Sequence, residues 1–149
     1  MSEAAHEGHV YKIDLRNGKP AHRWILLNEP QTIDGSFLAV SLTDRHNLDR
    51  VSDIWEFNYP LCASVQLAKP SVSALRYALV RTQSWLDQLQ AEFICTSTDA
   101  ALRRARCNIT WYPKFVSADV KRFARFYANT WEPCGSAPPY STKTGPGAP

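Results

Sequence analysis

Residues 22 to 24 read His-Arg-Trp and open the most hydrophobic run of the chain, while Thr43-Asp44 closes the next apolar run, SFLAVSLTD. These residue types can do chemistry together if the two run ends face each other. Imidazole titrates near neutral pH, so His22 and His46 are candidates for moving protons. The Arg23 guanidinium carries permanent charge and offers a forked grip to two anionic oxygens. The Thr43 hydroxyl can donate a hydrogen bond to the same group. Each residue also has a bland reading. His22 suits a structural histidine at a strand entry, and Arg23, alternating with apolar neighbours, can point into solvent. Thr before Asp commonly caps a turn, and residues 44 to 50 can be simply a charged loop. His6 and His9 lie three apart, but two imidazoles alone make a weak metal site, so no metal and no cofactor is expected.

The elements that must position these residues are short strands. HVYKIDL (9 to 15) alternates apolar and polar, as a half-buried strand does. RNGKP (16 to 20) is a turn, because Asn-Gly suits positive backbone angles and Pro resists helix. HRWILLN (22 to 28) reads as a central strand and FLAVSLT (37 to 43) as the third. IWEF (54 to 57) follows a polar stretch, and VSALRYALV (72 to 80) fits a last strand, with helix an option for its second half. Four or five short strands within 80 residues predict a small barrel.

The remainder is helical in pattern. SWLDQLQAEF (84 to 93) has near-helical apolar spacing. Thr98 or Asp99 can cap AALRRARCN, and Ser117 can cap ADVKRFARFYANTW, where Val120, Phe123 and Tyr127 share a face. From residue 132 to 149 the chain is rich in Pro, Gly, Ser and Thr, which predicts a disordered tail. The expectation is therefore one α+β domain over residues 1 to 131. A barrel would occupy about 8 to 80, with helices at 84 to 131 packed on it.

Bulk composition narrows the function classes without choosing one. The 149 residues carry a net charge of +3, with seven Lys or Arg against one acid, Asp119, between residues 101 and 130. That stretch suits phosphate contacts or a solvated helix face. Trp24 and Trp55 read as core, whereas Trp111 and Tyr112, between the two basic helices, are candidates for stacking on a base. Cys62, Cys95, Cys107 and Cys134 form no CxxC pair and have no His at zinc-finger spacing. With no apolar leader and no membrane-length apolar run, a cytoplasmic protein with reduced thiols is expected.

The order of these pieces resembles the MazF/PemK family of toxin ribonucleases, in a divergent branch of phage and plasmid type. The residues that carry the resemblance are Gly8 to Leu15, Arg23 to Asn28, Val40-Ser41-Leu42-Thr43, and Lys69 to Leu75. They are joined by the His-containing strand entry His22-Arg23-Trp24 and the basic segment from Asp99 to Arg125. The matches span roughly residues 8 to 125 and each is short. The family's usual Arg-Pro pair is absent: Lys19-Pro20 keeps the Pro, and Arg23-Trp24 keeps the Arg.

This resemblance implies an SH3-like barrel and a metal-independent endoribonuclease that cleaves single-stranded RNA as a toxin or growth regulator. Its catalytic positions would be Arg23 and Thr43, and imidazole chemistry adds His22 or His46 as the group that moves protons. Lys19, Arg45, Arg103, Arg104, Lys121 and Arg122 would hold the RNA. A homodimer and a restraining antitoxin are the implied partners. A non-catalytic SH3-like module binding nucleic acid or a protein is the alternative.

Overall fold

The computed structural model describes residues 4–44, 55–57, 71–127 and 129–136, with backbone alone at 43–44, 55–57 and 71–76. The strands are β1 (His9–Ile13), β2 (His22–Leu26), β3 (Phe37–Asp44), β4 (Trp55–Phe57), β5 (Ser71–Arg81) and β6 (Glu92–Thr96). The helices are α1 (Gln83–Gln88), α2 (Asp99–Trp111) and α3 (Ala118–Tyr127). The chain is thus α+β, built on one antiparallel sheet in the order β4-β5-β3-β2-β1-β6. Among the described residues no pairing joins the edge strands β4 and β6, so the sheet is open and these pairings do not make a closed barrel.

Strand alternation sends successive side chains to opposite faces, and here both faces are apolar. On one face Val10, Ile25, Leu27, Leu38, Val40 and Leu42 meet Ala101, Leu102, Ala105 and Ile109 of α2 and Val120 and Ala124 of α3. On the other, Tyr11, Ile13, Trp24, Leu26, Phe37 and Ala39 pack with Leu86 of α1 and with Ala5 and Ala91. A sheet buried on both sides explains why WILL (24 to 27) is continuously apolar instead of alternating.

Local chemistry fixes the joints. The RNGKP turn forms as expected, with Arg16 at φ 59° and Gly18 at φ 81°. Gly8, at φ 82°, bonds through its N–H to the Leu26 carbonyl and accepts from Ser97, so it stitches β2 to β6 ahead of β1. A Cβ there would lie 3.2 Å from Ser97 Oγ, so both the angle and the close approach favour glycine. Asn28, 2% exposed, donates to the Glu29 carbonyl, and its Oδ1 accepts the Leu38 N–H at 2.8 Å, prolonging the β2–β3 ladder by side chain. Thr98 caps α2 by accepting from Ala101 N–H at 3.2 Å.

Three expectations change. The helix expected over 84 to 93 stops after six residues: Gln90 adopts φ 52°, Ala91 N–H closes back on the Leu86 carbonyl, and the chain enters β6. Residues 132–136, expected in a disordered tail, are tied to α2, whereas 137–149 lie outside the described residues. Among the described residues the thiols are not reduced: Cys107 is joined to Cys134, and Cys95 is also disulfide-bonded. The 27-residue separation carries no motif, so only the folded path of the chain brings that pair within a Cα separation of 5.5 Å.

Candidate functional site

The register decides which candidate residues meet. Arg23 pairs with Lys12 on β1 and with Leu42 on β3, whereas Trp24 pairs with Tyr11 and Ser41. Alternation therefore puts Arg23 on the α2/α3 face and His22 on the face of Trp24 and Ser41. Thr43 follows Leu42, the partner of Arg23, and its backbone pairs with Val72 on β5. The Thr43 side chain, expected beside the Arg23 guanidinium, lies outside the described residues. Arg23 is half-buried, and its Nε has no hydrogen-bond partner among the described residues.

His22 instead joins a small cleft with Lys19, Trp24, Ser41 and Tyr77, closed on one side by Leu15, Asn17 and Pro20 of the β1–β2 connection. Two backbone features shape it. The positive-φ turn carries Lys19 across to the strand ends. A bulge on β5 supplies Tyr77: Ala39 pairs with Leu79 but Ser41 pairs with Ala74, so extra residues loop out between them. Bulges commonly re-aim a side chain beside a binding site. Trp24 is 1% exposed and stands edge-on to Trp85 at 5.5 Å, but its indole N–H has no partner among the described residues. The cleft thus combines an imidazole, an ammonium, a phenol and an aromatic wall, which suits a phosphate ester carrying a planar base. No arginine lines it among the described residues.

The other candidates fall elsewhere. Arg45 and His46 lie outside the described residues. Lys121, half-buried, and Arg122, exposed, are on α3, across the sheet from the cleft. Arg103 Nε pairs with Glu132 at 3.1 Å, and its Nη2 donates to the Pro133 carbonyl. Arg104 lies 5.4 Å from the Trp111 ring. Trp111 itself donates to the Gly135 carbonyl, and Tyr112 is buried, so this aromatic pair is engaged by the fold.

His6 and His9 are likewise occupied. His6 Nδ1 pairs with Glu29 Oε1 at 3.0 Å, while His9 approaches the Tyr11 hydroxyl and packs on Phe93. Partial burial pushes the Glu29 carboxyl upward, but hydrogen bonds from His6 and the Glu7 N–H outweigh this and hold it below its ordinary 4.5. Among the described residues no three His, Cys, Asp or Glu side chains gather to hold a metal ion, and no helix is long and apolar enough to cross a membrane.

Ser41 and Tyr77 were not singled out in the sequence. Ser41 was legible through parity, being two residues before Thr43, but Tyr77 was not, because nothing in VSALRYALV marks a bulge. Comparison with family models, curated proteins and solved structures finds no match.

Proposed function

We propose that this chain is a metal-independent endoribonuclease of MazF/PemK type acting on single-stranded RNA, with its open sheet forming the wall of an SH3-like barrel. The observation that supports it is the convergence of Lys19, His22 and Tyr77 on one cleft beside Trp24. In this reading His22 takes the proton from a ribose 2′-hydroxyl as its oxygen attacks the adjacent phosphorus. The bond from phosphorus to the 5′-oxygen breaks, leaving a 2′,3′-cyclic phosphate and a 5′-hydroxyl. Lys19 faces the charge that builds on the phosphorane, the role the family gives to arginine. Tyr77 stacks on a neighbouring base. Thr43 enters by resemblance as a hydrogen-bond donor to the phosphate, and His46, as an imidazole, gives a proton to the leaving 5′-oxygen.

The test is incubation of the purified chain with long single-stranded RNA in EDTA. His22→Ala should slow cleavage by about 10²-fold or more, and Lys19→Ala should also slow it, while Arg23→Ala stays near wild type. Absence of products from wild type, or equal rates for wild type and His22→Ala, sinks the reading. Induced expression should arrest host growth. Sedimentation and co-purification test for the homodimer and the antitoxin.

A non-catalytic RNA-binding module is the second reading, favoured by the position of Arg23 on the face away from the cleft. It predicts saturable binding without products and no growth phenotype.

A further inference from the structure

The residues after α3 return along α2 and use its basic side chains. Arg103 holds two oxygens along one edge of its guanidinium, Glu132 Oε2 at 3.1 Å from Nε and the Pro133 carbonyl at 2.7 Å from Nη2. That is the two-oxygen grip by which arginine holds a phosphate. The Trp111 indole N–H donates to the Gly135 carbonyl at 3.1 Å. Arg104 lies over the Trp111 ring, and its Nε and Nη2 have no partner among the described residues. Arg106 lies over Trp131 at 5.4 Å and is held by the Leu27 carbonyl and Glu7, and a cleft lined by Arg103, Arg106, Glu7, Asp99 and Glu132 opens beside them. The segment from Trp131 to Gly135 is pinned at one end by its buried indole and near the other by the Cys107–Cys134 disulfide.

The geometry points to a second single-stranded RNA site on α2, centred on Arg103, Arg104 and Trp111, which the chain's own residues 132 to 135 fill and the Cys107–Cys134 bond keeps filled. Glu132 and the two carbonyls stand where phosphate and base oxygens would lie. Arg104 retains donors that this segment does not satisfy, and Trp111 supplies a ring for stacking. Arg103 and Glu132 are 49% and 76% exposed, and an ion pair so exposed holds little by itself. The covalent link matters because it holds these weak contacts at high effective concentration. A dithiol reductant opens it: the S–S bond breaks, Cys107 and Cys134 each leave as a thiol, and the reductant closes to its own disulfide. Glu132 can then yield to a phosphate. RNA as the occupant rests on the function proposed above; the competition on α2 does not depend on cleavage in the β2–β3 cleft.

The experiment uses a fluorescein-labelled, fully 2′-O-methylated oligonucleotide, which cannot be cut, and reads binding by anisotropy. Cys134→Ser should bind about fivefold or more tightly than the oxidised wild type, and wild type treated with dithiothreitol should follow it. Adding Arg103→Ala to Cys134→Ser should remove the gain. A chain ended after Trp131 should reproduce the gain and guards against misfolding of Cys134→Ser, with circular dichroism as the check on both. Placing His22→Ala and Lys19→Ala in each form should leave the ratio intact, so a failure of the cleft reading is visible separately. Equal affinity of oxidised wild type, Cys134→Ser and the shortened chain, or a gain that survives Arg103→Ala, overturns the inference.

Discussion

At the scale of single residues, the parity of a strand position decides what its side chain can do. Arg23 and His22 are neighbours in sequence but belong to opposite faces of one sheet. Arg23 keeps a buried Nε without a partner, and an apolar residue of similar length removes that unsatisfied donor. Arg23→Met should therefore unfold in urea at a midpoint no lower than wild type, within about 0.5 kcal/mol. Asn28 is the opposite case. Asn28→Ala leaves the buried Leu38 N–H unpaired and should cost about 1–3 kcal/mol, read by the same urea titration. Glu29 gives a pH signature. Its carboxyl titrates below its ordinary 4.5 in the folded chain, so its contribution is full above that pH. The contribution is lost as pH falls through the lowered folded value. The Glu7 amide, which donates to Glu29 at 2.9 Å, should shift in NMR spectra over that acidic window.

At the scale of elements, what the sequence made legible followed local chemistry. The strands at 9–13, 22–26 and 37–44 lie where alternation and apolar runs put them, Thr98 caps α2, and Ser117 stands immediately before α3. Removing the α2 cap by Thr98→Ala should cost about 0.5–2 kcal/mol, measured by thermal unfolding. The misses share one cause, which is dependence on distant parts of the chain. EFICT has β-forming residues, but it becomes β6 only because β1 offers it an edge, and its apolar residues also fit a helix. The β5 bulge, and with it Tyr77, is a consequence of pairing with β3 that no local pattern announces. The cleft was half legible for the same reason: His22 and Lys19 were visible as types, whereas the face they occupy was set by register.

For the whole molecule, the disulfide between Cys107 and Cys134 ties the end of the described chain to the middle of α2. Loop-closure entropy for a separation of 27 residues predicts a stabilisation of about 3.5 kcal/mol. Cys107→Ala with Cys134→Ala should lose up to that amount in chemical denaturation, and the loss should disappear when both proteins are compared in reductant. The sheet carries a further consequence. In a sheet with one wet face, a slip of one residue is punished because it turns greasy side chains into water. Here both sides are greasy, so such a slip would only exchange one interior for the other. What forbids it is size: Tyr11, Trp24 and Phe37 crowd one side, while Val10, Ile25 and Val40 furnish the other. Bulk, not water, keeps this fold in frame, and trading an aromatic with its aliphatic neighbour, as in Trp24→Ile with Ile25→Trp, should be worse tolerated than either polarity or total volume suggests.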